Sequence, residues 1–178
     1  MSRAFVAVGG PPGSGKSTVG RKLAEALAAT YVSAGDQFRA EARRRGLDLE
    51  AFGRYAERHP EVDRALDESM RSFWTPGHVL DGRIQGPLAR RAGVPVRYVV
   101  IDCDAEVRAA RVAGRDGISP TEAARRIAER EASEARRYWA FYGVDLRQET
   151  PDFLVDSTRR SPDEVVARLL DFLGETGR

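Results

Sequence analysis

The chain has 178 residues, 42% of them hydrophobic, with 29 basic side chains against 27 acidic ones. That length buries one substantial core and is short for two independent domains, and the interleaved charges offer no basic stripe to a nucleic acid. No apolar stretch approaches the roughly 20 residues of a membrane span, no apolar leader follows Met1, and Cys103, His59 and His78 allow neither an internal disulfide nor a clustered zinc site. A cytoplasmic monomer that binds neither membrane nor nucleic acid is the expectation.

Residues Ala4 to Val8 form a short apolar run ahead of GGPPGSGKST, the pattern of a buried parallel strand entering a loop and then a helix. The first helix is expected from Lys16 to about Ala28, with Val19, Leu23, Ala26 and Leu27 at helical spacing. A second strand, TYVSA, ends at Gly35-Asp36, where Asp36 is expected to cap the helix carrying Phe38, Arg39 and Ala42. Leu47 to Trp74 reads as helical, restarting at Pro60 after His59 and ended by Thr75-Pro76-Gly77. HVLDGR supplies a third strand closing on Asp81, Gln85 to Ala92 a helix, and VRYVVIDC the plainest buried strand. From Asp104 a helix is expected to break at Gly114 and Gly117. It restarts at SPTE with Ser119 as N-cap, Pro120 first in the helix and Glu122 as capping-box partner, and runs to about Tyr142. DFLVDS is the last strand, and Ser161, Pro162 and Glu164 repeat the cap before a helix that buries Val165, Val166, Leu169, Leu170 and Leu173. Alternating strands and helices of this kind give a five-stranded parallel sheet covered on both faces.

Gly10 to Ser17 fits the pattern of glycine, four residues, then Gly-Lys-Ser, in the strand-to-helix setting this loop requires. Its glycines let backbone N–H groups converge on β- and γ-phosphates, and the helix dipole adds positive charge. Lys16 would reach the β/γ oxygens and Ser17 would offer its hydroxyl to Mg²⁺. Lysine occurs only at positions 16 and 22, so a lysine kept inside this loop marks a place for a compact point charge. Asp81, at the carboxyl end of a strand, should face the same crevice and hold Mg²⁺ through water. Arg83 follows at once, and Arg39 lies at another strand's carboxyl end on what reads as the first turn of a helix, placed for a bidentate phosphate clamp. Arg130, Glu131, Glu134 and Arg137 share one helical stripe, and Arg111 and Arg115 another face, a pattern that suits either a salt-bridged surface or an arginine-bearing flap. The aromatic cluster Tyr138, Trp139, Phe141 and Tyr142 is expected to pack on the core. Cys103 reads as a small buried apolar group, and His59 and His78 as helix-end and strand-start residues.

The ordered segments GPPGSGKST, SAGDQFR, YAERHPEVDRALDE, VLDGR and REASEARRYWAFYGVD closely resemble the short cytidylate kinases of archaea, over nearly the whole chain. The resemblance implies a single three-layer P-loop NTPase domain, α/β, with a monophosphate-binding insert at about 36–75 and an arginine lid at about 111–137. It implies ATP- and Mg²⁺-dependent phosphorylation of CMP, with dCMP also accepted. By that comparison Gly10, Pro11, Pro12, Gly13, Ser14, Gly15, Lys16, Ser17 and Thr18 bind ATP, with Arg111 and Arg115 near its base and phosphates. Asp36, Arg39, Gly82 and Arg83 hold the monophosphate, Lys16, Arg83, Arg130 and Arg137 surround the transferred group, and Ser17 and Asp81 serve the metal.

The adenylate kinase pattern after the third strand runs Asp-Gly-Phe-Pro-Arg, whereas Arg83 here follows Gly82 directly, which weakens AMP as acceptor. Adenylate kinase and a broader pyrimidine monophosphate kinase are the nearest alternatives. A shikimate- or gluconate-type kinase would use Asp36 as a base and carry a glycine-rich loop where LDGR stands. A non-enzymatic nucleotide switch would leave the lid arginines without purpose.

Overall fold

The computed structural model describes residues 4–175. Its centre is β1 (Phe5–Gly9), buried along its length because strands pack on both sides of it and helices on both faces. The strand period of two separates its side chains: Val6 and Val8 join one apolar cluster, Phe5 and Ala7 the other.

The remaining elements follow in alternation. They are α1 (Lys16–Ala26), β2 (Thr30–Ser33), α2 (Ala34–Arg44), α3 (Leu49–Arg58), α4 (Pro60–Arg71), β3 (His78–Asp81), α5 (Gln85–Arg91), β4 (Val96–Asp102), α6 (Ala105–Asp116), α7 (Pro120–Tyr142), β5 (Phe153–Asp156) and α8 (Pro162–Leu173). All pairings are parallel and the order is β2-β3-β1-β4-β5, so chain direction across the sheet reverses beside β1. That reversal opens a crevice at the carboxyl ends of β1 and β3, where ligands bind in sheets of this kind.

On one face α1 and α8 cover the sheet through Val19, Leu23, Val165 and Leu169. On the other, α5 and the end of α4 contribute Leu88, Ile84 and Met70, joined by Trp74 and Tyr98. A Cβ on Gly86 would fall 2.2 Å from the Tyr98 ring, so only glycine lets α5 settle this close to β4.

Several expected boundaries shift. Ser33, not Asp36, caps α2: its hydroxyl accepts the Asp36 N–H, which puts Asp36 in the first turn and Arg39 in the second. The helix expected to break at Gly114 continues to Asp116 and ends at Gly117 (φ 66°), because a single glycine weakens a helix without stopping it while a left-handed cap does stop it. Ser119 caps α7 through the Glu122 N–H, yet the Glu122 carboxylate pairs with Arg125 and Arg126 rather than returning to the cap. Ser161 and Glu164 form the full reciprocal box. Tyr138 and Tyr142 pack on the core as expected, but Trp139 points outward, 65% exposed.

Candidate active site

The loop after β1 holds its shape through the backbone of Gly10 (φ +138°), where a Cβ would sit 2.2 Å from the Ile101 carbonyl oxygen. Lys16 turns back over the loop and donates to the Pro11 carbonyl at 2.9 Å. Burial pushes its ammonium down to about 8; Asp81 opposes that shift, while Arg130 and Arg83 add to it. An ammonium in this position gains from an arriving anion, which restores the solvation that burial removed.

Ser17 donates to Asp81 Oδ2 at 2.6 Å, and the Tyr31 hydroxyl donates to the same oxygen at 2.8 Å. Asp81 is 4% exposed. One hydroxyl and one carboxylate oxygen beside a phosphate-binding loop match Mg²⁺, which keeps several waters and takes its other oxygens from substrate phosphates. No cluster of three or more His, Cys, Asp or Glu side chains exists among the described residues, so a closed protein cage is not what this arrangement offers.

Opposite the loop stand the arginines. Glu134, on α7, accepts from Arg83 Nη1 at 2.6 Å and from Arg130 Nε at 2.7 Å, and its side chain is 7% exposed. Burial pushes the Glu134 carboxyl up, but Arg130 and Arg83 outweigh it and hold the group at about 2. Arg137 lies over the Phe38 ring and reaches Asp63 on α4. The Nε atoms of Arg83 and Arg137 are buried without a partner, an orphaned donor set aimed at no protein acceptor.

These groups surround one cleft of about 390 Å³. Its wall carries Pro12, Gly13, Gly15, Lys16, Ser17 and Thr18 from the loop side, with Arg39, Asp81, Gly82, Arg83, Arg130 and Arg137 across from them. Arg111 and Arg115 also reach the wall, but their guanidinium groups are engaged elsewhere: Arg111 with the Ser157 and Ser14 carbonyls, Arg115 with its neighbour Asp116. Gly10 and Pro11, both half-buried, and the fully buried Ser14 are not part of the wall, and Asp36 is off it too, paired with Arg39 at 2.6 Å and Arg21 at 3.1 Å. A larger space of about 750 Å³ adjoins the cleft between α3 and α7 and shares Phe38, Arg130 and Arg137 with it, but it lacks Lys16 and Asp81, which line the smaller one. Across that space Glu57 pairs with Arg136 at 2.7 Å, and Glu50 stands 3.5 Å from Arg125 and from Arg126.

Sequence reasoning overlooked four participants. Tyr31 and Asp63 are partners of predicted residues, and a buried acid at helical spacing with Leu66 and Met70 was the available signal for Asp63. Arg108 bridges the Pro12 carbonyl and Glu131, tying the loop to α7. Asp67 on α4 completes the far wall of the cleft.

A phosphate-cradling loop, a hydroxyl and carboxylate suited to Mg²⁺, and a wall of arginines on this sheet define a P-loop nucleotide kinase. A family model described as an AAA domain matches residues 9–127. A cytidylate kinase of Pyrococcus furiosus is 38% identical, over 97% of this chain and 92% of its own length. One from Methanopyrus kandleri is 42% identical, over 92% and 90%. Among solved structures, a shikimate kinase from Bacteroides thetaiotaomicron superimposes with a TM-score of 0.63 at 15% identity over 97% of this chain and 99% of its own, a likeness of fold. The chain belongs to the cytidylate kinase family.

Proposed function

We propose that this protein transfers the γ-phosphoryl group of ATP to CMP, and to dCMP, giving ADP and CDP or dCDP. The observation that carries the reading is the pair of facing phosphate-binding surfaces in one cleft, Lys16 and the loop amides on one side and Arg39, Arg83, Arg130 and Arg137 on the other. A nucleoside monophosphate is already largely ionised at neutral pH, so its kinase works by positioning and charge neutralisation without a general base. The site suits that economy. Asp36, the base a hydroxyl-phosphorylating kinase would need, is pushed up by burial, yet Arg39 and Arg21 hold it below the usual carboxylate range.

In this reading the loop amides and Lys16 take the β- and γ-phosphates, and Arg39 and Arg83 orient the acceptor phosphate. Arg130 and Arg137 neutralise charge on the group in transit. Ser17 and Asp81 would hold Mg²⁺, which neutralises charge on the phosphate oxygens when bound. The α2–α4 insert carries Arg39, and the segment at about 111–137 acts as the lid, in a cytoplasmic monomer acting on free nucleotides. An ADP-release assay with CMP, dCMP, UMP and AMP tests the proposal: CMP is expected to have the highest kcat/KM, and higher activity on AMP would replace it with an adenylate kinase.

A further inference from the structure

Four carboxylates line the cleft, Asp63, Asp67, Asp81 and Glu134. Three are committed: Asp63 to Arg137, Glu134 to Arg83 and Arg130, and Asp81 to Ser17 beside the loop. Asp67 is different, because no arginine or lysine forms an ion pair with it among the described residues, and its hydrogen bonds come from the neutral donors Gln85 and Tyr142.

Those donors have a fixed polarity. The Trp74 indole can only donate, and it donates to Gln85 Oε1 at 3.0 Å, so the Gln85 carbonyl must face Trp74. The Gln85 amide nitrogen must then face Asp67, where it donates to Oδ1 at 3.0 Å. Tyr142 donates its hydroxyl hydrogen to Oδ2. Gln85 is fully buried and Trp74 nearly so, so the relay cannot turn over without breaking apolar packing. Each Asp67 oxygen takes one donor and keeps a lone pair, so the half-buried carboxylate lines the cleft as a group that only accepts. Phe38, Leu66 and Ile84 supply apolar wall for a flat ring beside it.

We propose that Asp67, held by Gln85 and Tyr142, reads the 4-amino group of the acceptor cytosine. The assignment rests on the functional reading above. Uracil presents a carbonyl oxygen in place of that amino group, and two acceptors facing each other in a dehydrated cleft leave both unsatisfied. Adenine carries an amino donor too, so the discrimination this group provides is cytosine over uracil. A ribose hydroxyl is the other donor that could meet Asp67, and the comparison with dCMP separates the two.

Initial rates with CMP, dCMP, UMP and the 4-deamino analogue of CMP are to be measured on the wild-type chain and on Asp67→Asn, with thermal unfolding as a check of folding. The wild type is expected to prefer CMP over the deamino analogue in kcat/KM by at least about tenfold, and Asp67→Asn to abolish that preference. If the wild type fails to phosphorylate CMP, the functional reading falls and takes this assignment with it. With CMP kinase activity present, the assignment alone falls if the wild type shows no such preference, or if the preference survives in Asp67→Asn. It falls equally if Asp67→Asn alters the ratio of CMP to dCMP and leaves that of CMP to UMP unchanged. Should Asp67→Asn not fold, Gln85→Met removes the amide that fixes the carboxylate and is expected to lower the same preference; an unchanged ratio there overturns the proposal.

Discussion

Arg137 donates through a single nitrogen, Nη1, to both carboxylate oxygens of Asp63, at 2.6 and 2.7 Å, and the two side chains are 5% and 8% exposed. Removing one member of such a pair leaves the other charge buried without compensation, at a cost of about 3–5 kcal/mol. Asp63→Asn is therefore expected to lower stability by that order in urea unfolding, and saturating CMP, whose phosphate offers a new counter-charge, to return part of the loss. An unfolding curve that does not move would show that Asp63 does not secure Arg137.

Arg130 bears directly on turnover. Its guanidinium shares Glu134 with Arg83 at the cleft wall. Charge-neutralising arginines in phosphoryl transfer are worth roughly 10³-fold or more. Arg130→Ala should lower kcat by about that factor with a smaller change in KM for ATP; near-full turnover would exclude the lid from catalysis.

Glu134 gives a pH dependence of defined sign. Its folded-state value of about 2 lies below its ordinary 4.5, so the stability it contributes is complete above 4.5 and is lost as the pH falls toward 2. Glu134→Gln is expected to be less stable than the wild type at pH 7, and the gap to narrow in denaturant titrations run below pH 4.5. A gap independent of pH would mean that the carboxylate's charge is not what binds the two arginines.

Much of this site was legible in the residues. The loop pattern at Gly10 to Ser17 and its place between strand and helix fixed both ligand class and sheet end, because phosphate binding constrains backbone and sequence together. The i,i+4 pair of Arg130 and Glu134 was legible as well, but the long-range pairing partners were not. That Glu134 spans Arg83 and Arg130 depends on α7 crossing over the loop after β3, and no local spacing encodes a contact 51 residues away along the chain. Asp67 was hidden for the same reason: an acid in a helix with charged neighbours reads as solvated until Trp74, Gln85 and Tyr142 are brought behind it. Trp139 erred in the opposite direction, since aromatic character argues for burial while only packing decides it.

Asp67 also predicts a pH effect on base choice. Burial pushes its carboxyl up to about 6; Asp63 adds to that, while Tyr142, Gln85 and Arg137 oppose it. Above that value it is an acceptor only, and below it the protonated group donates as well. The preference for CMP over UMP should shrink as the pH falls from 7 to about 5.5, a comparison in which the titration of the substrate phosphates cancels. A ratio constant across that interval would count against Asp67 as the reader.

The pairs between α3 and α7 are partly exposed, and such pairs are worth about 0.2–1 kcal/mol each. Glu50→Gln with Glu57→Gln is expected to raise KM for CMP by about fivefold at most in low salt, with the difference disappearing as added KCl screens the pairs. A salt-independent change would place the effect in packing.

All of these contacts converge on α7, whose 23 residues span about 35 Å at 1.5 Å per residue. One rod thus carries Arg130 and Arg137 at the cleft wall, Arg125, Arg126 and Arg136 against α3, and Tyr138 and Tyr142 against the core. Ser119 caps its start, just past the left-handed Gly117 that ends α6, and the left-handed Gly143 closes its other end. In the proposed lid, movement of this one rod would withdraw Arg130 and Arg137 together, so the two spent nucleotides would be let go as linked events.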